Sequence, residues 1–463
     1  MNKYKKLMSD TLIFSIGTFS SKFLVYFLMS LYTRAMTTEQ FGVADLIIQS
    51  ANLMLPVVSV GIFNSVIRFG LDKEINKDHV FTIGLKTILT GFAVFLIFYP
   101  LVSMIPFIKG YTYLLYLYVL MGMMRSLCSQ FVRAKQLTKL YAFDGILATC
   151  SVIFFNVLFL VVFKMGVEGY ILSTIVSDFL SSLFLMYIAK LYKHVKPSQK
   201  APSLKKEMLR YSIPMIPATV FWWVTNVSDR YMVSAMINEA ANGLYAIAYK
   251  IPTLINLVSS VFSDAWQISA VTHDNDSPEQ AKFFSTVYAS FTSLLFFGGS
   301  GLILFCKLIM KFMVGAQFFT SWKYIPVLVI ATIFSCFSTF LGSVYVVEKK
   351  SSMILVTAMA GALSNIALNL LLIPRVGVNG AAIATMASYM IIYIIRAYNT
   401  RHFIKMDIRF GYCLLNTAVL LVQSYFMITE SAFWIPVGLV CCVFVGVVNL
   451  NPILKGVMKV LGK

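Results

Sequence analysis

The chain has 463 residues, of which 59% are apolar and only 12% are charged, and its mean hydropathy is +0.80. A soluble protein of this size needs a far more polar surface, so the composition excludes one and predicts that lipid surrounds most of the chain. The net charge of +19 would also suit a nucleic-acid-binding protein. The basic residues are dispersed over alternate loops, however, and we expect no nucleic-acid partner.

About fourteen apolar segments are long enough to cross a bilayer, whose hydrocarbon core needs roughly 20 helical residues per crossing. Short loops separate them and leave no room for a sizeable soluble domain. The predicted fold is therefore an all-α polytopic membrane protein with about fourteen transmembrane helices. The predicted spans are 12–33, 42–67, 81–105, 112–132, 141–163, 168–189, 212–235, 242–265, 283–305, 324–347, 353–373, 378–395, 410–428 and 432–449.

Basic residues lie mainly on one side of the predicted membrane. If the N-terminus is cytoplasmic and the spans alternate, cytoplasmic segments contain 26 of the 38 Lys and Arg residues, and the opposite side contains 7. The positive-inside rule then predicts that both termini are cytoplasmic. The first apolar stretch is too long and too polar for a signal peptide, so we expect it to remain as the first transmembrane helix.

A weak internal repeat divides the chain. Residues 166–178 resemble residues 377–389 at an offset of 211, and residues 41–43 resemble residues 242–244 at an offset of 201. Six crossings per half would give the halves one orientation, related by a two-fold axis along the membrane normal with substrate between them. The alternative is a chance recurrence of Gly-x-x-Gly turns. The predicted domains are an N-terminal six-helix bundle (1–190), a basic cytoplasmic linker (191–211), a C-terminal six-helix bundle (212–398), and two additional helices with a cytoplasmic tail (399–463).

Motifs for catalysis or metal binding are missing from the sequence. The seven cysteines show no CxxC spacing and the four histidines are scattered over different loops, so we expect neither a metal site nor a cofactor. There is no GxxxxGK[ST] loop, nucleophile elbow or HExxH helix. We therefore expect that the protein is not an enzyme.

Several basic side chains fall inside the predicted spans, where an ionised group costs on the order of 3 kcal/mol on insertion scales. Lys22, Arg230 and Lys250 lie on polar faces of spans that correspond under the repeat, and we expect them to line one water-filled vestibule. Several Lys and Arg donors in such a vestibule would suit a phosphate or pyrophosphate. The candidate substrate-binding residues are Lys22, Arg125, Arg230, Lys250, Asn226, Gln49 and Asn52.

Three acidic residues, Asp45, Asp178 and Asp229, also lie within predicted spans. Each is a candidate for coupling to a proton or sodium ion, or for a structural ion pair that closes the bundle. Asp229 directly precedes Arg230, which suits either role. Polar stripes on membrane helices also serve as plain helix–helix contacts, and this interpretation stays open as well.

Residues 17–46, 228–251 and 377–396 resemble polysaccharide repeat-unit flippases, the O-antigen (Wzx-type) exporters of the multidrug/oligosaccharidyl-lipid/polysaccharide (MOP) superfamily. The resemblance spans nearly the whole chain in the right order. It implies two six-helix bundles that alternate in access, usually with two further helices. It also implies that a cationic lumen holds a pyrophosphate, with Arg230 in the family's Asp-Arg position and with Lys22 and Lys250 in lumen positions.

The same resemblance implies a bacterial inner-membrane protein that moves undecaprenyl-pyrophosphate-linked oligosaccharide from the cytoplasmic to the outer leaflet for surface polysaccharide synthesis. Other polysaccharide-assembly membrane proteins are expected partners, besides the lipid bilayer and the lipid-linked glycan. Three alternatives stay open: a cation-coupled multidrug antiporter of the same superfamily, a flippase for lipid II or teichoic-acid precursors, and a membrane-embedded polysaccharide polymerase or ligase. The last would need a catalytic outer loop, and no predicted outer loop is long.

Overall fold

A computed structural model describes residues 28–196, 201–260, 278–348, 350–404 and 406–460. In these ranges the secondary structure is helical, and no β-strand occurs. Eleven of the described helices are long and apolar enough to cross a membrane. The prediction of an all-α polytopic membrane protein is thereby confirmed.

The number of fourteen spans stays a prediction. Eleven predicted spans coincide with the eleven apolar helices. Span 12–33 lies mostly outside the described residues, and so does the end of span 242–265. Span 212–235 forms a helix, which is not among those eleven.

The chain divides into two compact units, the first ending at Val220 and the second beginning at Phe221. The first unit contains helices α1 to α8, following a helical segment at residues 28–35. Their bounds are α1 Thr38–Val58, α2 Ile62–Leu71, α3 Lys77–Ile97, α4 Tyr99–Val102, α5 Thr112–Ala134, α6 Thr138–Asn156, α7 Gly166–Ile188 and α8 Pro202–Ser212.

Helix α9 contains the boundary between the units, and the remaining helices belong to the second unit. Residues 253–260 add a further helical segment after α10. The bounds are α9 Ile216–Met236, α10 Glu239–Ala248, α11 Pro278–Met313, α12 Ile325–Val347, α13 Ser351–Val376, α14 Val378–Thr400, α15 Phe410–Ile428 and α16 Trp434–Val460.

Burial separates core helices from lipid-facing ones. In the second unit, 83% of the residues in the apolar stretch that includes most of α12 are buried, against 22% of those in the apolar stretch of α16. In the first unit, the window that includes α6 is only 17% buried. A helix that is apolar on all sides but packed on few of them must meet lipid, so α6 and α16 lie at the periphery.

Local sequence explains where α1 begins and where it breaks. Thr37 and Gln40 form a reciprocal capping box, which fixes the start of the helix. The predicted single span 42–67 is interrupted after Val58, because Val60 and Gly61 have φ angles of +54° and +62°. Such left-handed residues end a helix, and a second helix, α2, then begins.

The linker between the predicted halves contains a structured element that hydrophobicity alone did not indicate. Residues Pro202–Ser212 form the amphipathic helix α8, which begins with proline at its first position. It packs on α2, where Ser65 donates a hydrogen bond to the Met208 carbonyl over 2.5 Å. The guanidinium of Arg68 also lies 4.3 Å from the centre of the Tyr211 ring.

The repeated segments share a glycine with a positive φ angle at the start of a helix in both units. Gly166 and Gly377 have φ angles of +55° and +66° and stand at the starts of α7 and α14. Three residues later, a Cβ atom on Gly169 would lie 3.1 Å from the Phe159 carbonyl oxygen. A Cβ on Gly380 would overlap the backbone at Leu372. In each unit, therefore, the two glycines permit a tight turn and close helix contact.

Candidate functional site

The structure describes nine of the ten candidate site residues, because Lys22 lies outside the described residues. Each unit contains part of the set. Asp45, Gln49, Asn52, Arg125 and Asp178 belong to the first unit, and Asn226, Asp229, Arg230 and Lys250 belong to the second.

In the first unit, Arg125 is paired with two carboxylates. Its Nη1 atom lies 2.9 Å from Asp178 Oδ1, and its Nη2 atom lies 3.7 Å from Asp144 Oδ2. Ser181 donates a further hydrogen bond to Asp144. We call these four residues the Arg125 cluster. Helices α5, α6 and α7 each contribute to it, and Asp144 was not among the sequence candidates.

The Arg125 cluster has one cation for two acids. The side chains of Asp144 and Asp178 are 3% and 10% exposed, whereas that of Arg125 is 30% exposed. One buried arginine can form charge-assisted hydrogen bonds to two carboxylates, but it neutralises only one of them. The cluster is therefore a site where a proton or another cation would complete the charge balance.

The polar stripe on α1 forms a weaker group. Gln49 donates a hydrogen bond of 3.4 Å to the carboxylate of Asp45, which is 5% exposed. Asn52, one turn further on, is exposed. Along the stripe, the side chains become more exposed from the buried acid Asp45 through Gln49 to Asn52.

In the second unit, Asp229 is fully buried and accepts three hydrogen bonds. Tyr245 donates to its Oδ2 over 2.6 Å, and Thr385 donates to the same atom over 2.9 Å. The Arg230 backbone N–H donates to Oδ1 over 2.9 Å. Three donors around one carboxylate fix its position within the helix bundle.

Asn365 on α13 extends this group. Its Oδ1 accepts hydrogen bonds of 2.8 Å from both Ser228 and Asn369, and its Nδ2 donates to Thr385 over 3.4 Å. We call Asp229, Tyr245, Thr385, Asn365, Ser228 and Asn369 the Asp229 network. It joins α9, α10, α13 and α14 through neutral oxygen and nitrogen groups around one acid.

Arg230 and Lys250 lie beside the Asp229 network. The Arg230 guanidinium is 5.1 Å from the centre of the Tyr249 ring, a cation–π contact. Arg230 is 7% exposed, and Lys250 is half-buried next to Tyr249 in sequence. The two predicted cations of this unit are thus brought to the same part of the fold as Asp229.

Asn226 lies one turn before Arg230 and contacts an aromatic pair. Tyr389 donates a hydrogen bond of 2.5 Å to its Oδ1. The Tyr389 and Trp222 rings meet edge to face, with their centres 6.0 Å apart. Trp222 and Asn226 are both half-buried, so this side of α9 combines an amide with aromatic surface.

Arg396 is a further buried cation of the second unit, which the predicted spans did not include. Arg396 follows the predicted span 378–395 and was counted with the cytoplasmic residues, but α14 continues to Thr400 and leaves Arg396 only 3% exposed. Its Nε and Nη2 atoms donate to the Thr357 hydroxyl over 3.0 and 2.9 Å. Its Nη1 donates to the Ser338 carbonyl over 2.6 Å. A helix end placed one turn later would have revealed it as a buried charge.

Comparison with solved structures defines the class of protein. The fold matches a structure described as "Lipid II flippase MurJ, inward closed conformation" with a TM-score of 0.71 at 15% identity, covering 96% of this chain and 100% of that one. It also matches the MATE multidrug transporter DinF-BH with a TM-score of 0.61 at 15% identity, covering 88% and 98%. A multidrug resistance MATE family transporter of the MOP superfamily, in an outward-facing conformation, matches with a TM-score of 0.60 at 15% identity, covering 86% and 95%. The chain therefore has the fold of MOP-superfamily flippases and transporters, and it is a multi-pass membrane protein.

The family follows from the sequence. A family model described as "Polysaccharide biosynthesis protein" matches residues 7–266, more than half of the chain. The protein belongs to this polysaccharide biosynthesis family. None of the curated protein sequences matches the chain. The expectation of a flippase-type member of the MOP superfamily is confirmed.

Proposed function

We propose that this protein moves an undecaprenyl-pyrophosphate-linked oligosaccharide from the cytoplasmic to the outer leaflet of the bacterial inner membrane by alternating access. The observation that carries the proposal is membership of the polysaccharide biosynthesis family. The match to a lipid II flippase along 96% of the chain supports a lipid-linked cargo. Surface polysaccharide such as O-antigen, capsule or exopolysaccharide is the product that this step serves.

In this proposal the pyrophosphate is bound by basic side chains within membrane helices. Arg230 is the main donor, because a planar guanidinium matches two phosphate oxygens at once. Lys22 and Lys250 add point charges, and Asn226 adds an amide. Gln49 and Asn52, in the first unit, stay candidates for contact with the cargo.

Arg125 has a different role in the proposal. Its guanidinium is engaged by Asp144 and Asp178, which favours a part in ion coupling over direct contact with the pyrophosphate. Intramembrane acids commonly mark proton and ion pathways. The surplus acid of the Arg125 cluster therefore makes Asp178 a candidate to take up a coupling proton or sodium ion.

The Asp229 network is the second candidate for coupling. It gathers a carboxylate, three hydroxyls and amide oxygens in one buried place, and a hard cation prefers oxygen ligands. Protonation of Asp229 would be the alternative, with Tyr245 and Thr385 rotating their hydroxyl hydrogens away. Asp45, whose carboxylate accepts a hydrogen bond from Gln49, is a third candidate acid for ion coupling.

The proposal includes no catalytic step and no cofactor. Both termini lie in the cytoplasm, and the partners are the lipid-linked glycan, the bilayer and other membrane proteins of polysaccharide assembly. Nucleic acid is not a partner. In a cell, loss of the protein is expected to stop surface polysaccharide synthesis while lipid-linked units accumulate on the inner leaflet.

The test uses the purified full chain in liposomes with a fluorescent polyprenyl-pyrophosphate-linked oligosaccharide and a membrane-impermeant quencher. The wild type should move label between leaflets, and replacing both Arg230 and Lys250 with Gln should reduce the rate at least tenfold. Arg375→Gln is the matched control, because Arg375 is exposed near the end of α13. Transport by the double variant at the wild-type rate would refute the assigned pyrophosphate site.

A multidrug antiporter is the second candidate function. It is favoured by the fold match to MATE transporters and by the net negative charge of the Arg125 cluster. An antiporter would expel organic cations and leave lipid-linked sugar in place. Drug susceptibility and surface polysaccharide, measured together in a strain that lacks the protein, separate the two functions.

A further inference from the structure

Arg396 is a buried charge whose described hydrogen-bond acceptors are all neutral. A guanidinium has five N–H donors. Three are used, two by the Thr357 hydroxyl and one by the Ser338 carbonyl. Among the described residues no carboxylate lies within ion-pair distance of Arg396, and two N–H groups have no acceptor there.

The surrounding helices are shaped to hold the guanidinium. Gly342 lies one turn after Ser338 on α12, and a Cβ atom there would stand 2.6 Å from Arg396 Nη1. Thr357 holds the other edge of the group from α13. Two neighbouring helices are thus arranged around a charge that they do not neutralise.

A structural tie between helices does not need this charge. Elsewhere in the second unit, neutral side chains link helices at the same depth of burial. Gln423 pairs with Ser300, and Asn449 pairs with Asn416. A buried charge is retained when its charge is used, because neutral amides form the same contacts at lower desolvation cost.

Arg125 provides the contrast within the same chain. There the guanidinium contacts two carboxylates and is itself a third exposed. Arg396 is more deeply buried and lacks such partners in the described part of the chain. The described residues supply no negative charge to Arg396, and a bound anion would supply one.

The guanidinium of Arg396 also lies against an aromatic ring. The Trp222 ring covers the guanidinium, with its centre 5.8 Å from Cζ, and Trp222 is only half-buried. The same ring contacts Tyr389, which holds Asn226. A cation, two aromatic rings and an amide are thus linked by successive contacts on α9 and α14.

We infer that Arg396 is an anion-binding residue of the second unit, whose remaining N–H groups bind phosphate oxygens of a pyrophosphate when Trp222 moves aside. The inference rests on the proposed function, since it adds a ligand to the cargo site. Arginine suits this task because its fork binds two phosphate oxygens together. Free pyrophosphate and the lipid-linked form both present non-bridging phosphate oxygens that such a fork can bind.

The experiment measures binding of inorganic pyrophosphate, and separately of a short-chain polyprenyl pyrophosphate, to the full chain in nanodiscs by calorimetry. Arg396→Gln should weaken binding at least tenfold, and Arg396→Lys should weaken it less. Arg401→Gln should stay within twofold of the wild type, because Arg401 is exposed one turn after Arg396. Thermal midpoints of all three variants show whether each is folded.

Wild-type affinity in Arg396→Gln and Arg396→Lys would overturn the inference and leave Arg396 as a structural tie. If neither variant folds, Gly342→Ala replaces them, because its Cβ would stand 2.6 Å from Arg396 Nη1, and wild-type affinity in that variant would overturn the inference equally. Transport of lipid-linked oligosaccharide in that case would leave the proposed function intact. Conversely, the wild type could fail to transport such a lipid while Arg396→Gln binds pyrophosphate more weakly than the wild type. That result would refute the proposed function and support the binding site. Binding of the polyprenyl form alone would identify the lipid as the source of the phosphate.

Discussion

At the level of single residues, the structure pairs Arg125 with two buried carboxylates. Its guanidinium is the only partner of opposite charge that the described contacts give to Asp144 and Asp178. Removing one partner from a buried ion pair is costly, since it leaves an uncompensated charge in a low-dielectric environment. The cost should be partial here, because Arg125 is 30% exposed.

We therefore expect Arg125→Gln to lower the free energy of unfolding by about 2 kcal/mol. Adding Asp144→Asn should restore part of this loss, since one acid then no longer needs a cation. Thermal unfolding of the purified protein measures both. Arg133→Gln, at an exposed position near the end of the same helix, should change stability by no more than about 0.5 kcal/mol. A double variant no more stable than Arg125→Gln alone would show that Asp144 and Arg125 are not coupled.

At the scale of helices, backbone conformation decides where a span ends. The break between α1 and α2 depends on two successive residues with positive φ, of which only Gly61 lacks a Cβ. A Cβ on Gly61 would also lie 3.3 Å from the Ser212 carbonyl oxygen at the end of α8. The α1–α2 break and the position of α8 thus depend on the same residue.

Gly61→Ala should accordingly lower the free energy of unfolding by about 1–2 kcal/mol, the cost of a left-handed conformation for an L side chain. Gly145→Ala is the matched control with the opposite sign. Gly145 lies inside α6 with nothing within 4 Å of an added Cβ, so alanine should stabilise the helix by about 0.5–1 kcal/mol. Thermal midpoints of the two variants that shift in the same direction would contradict this account of the break.

Sequence periodicity and hydropathy predicted the apolar helices well, because lipid imposes length and composition on each crossing. They did not predict α8, whose amphipathic pattern is too short and too polar for a span. They also missed Arg396, because the predicted span was ended before this charged residue, whereas α14 continues to Thr400. The side chains around Asp229 come from four helices, and no spacing along one segment brings Tyr245, Thr385 and Asn365 together.

For the whole molecule, the direction of transport depends on which ends of the helices face the cytoplasm. The distribution of 26 basic residues against 7 predicts that the loop containing α8 is inside. The turn between α15 and α16 is then outside. In that turn Glu430 accepts a hydrogen bond of 2.7 Å from Lys307 and lies 3.5 Å from Lys323, so two of the seven basic residues of this side lie at one acid.

Single cysteines introduced at Ser203 and Ala432, in a background without the seven native cysteines, test this orientation. Both positions are exposed. In intact cells whose outer membrane has been permeabilised, a membrane-impermeant maleimide should label Ala432→Cys, and it should label Ser203→Cys only after the inner membrane is opened. Surface polysaccharide synthesis by both variants would show that the labelled proteins are folded. The reverse labelling pattern would invert the topology, and with it the direction in which an alternating-access cycle starting from the cytoplasmic leaflet could carry its cargo.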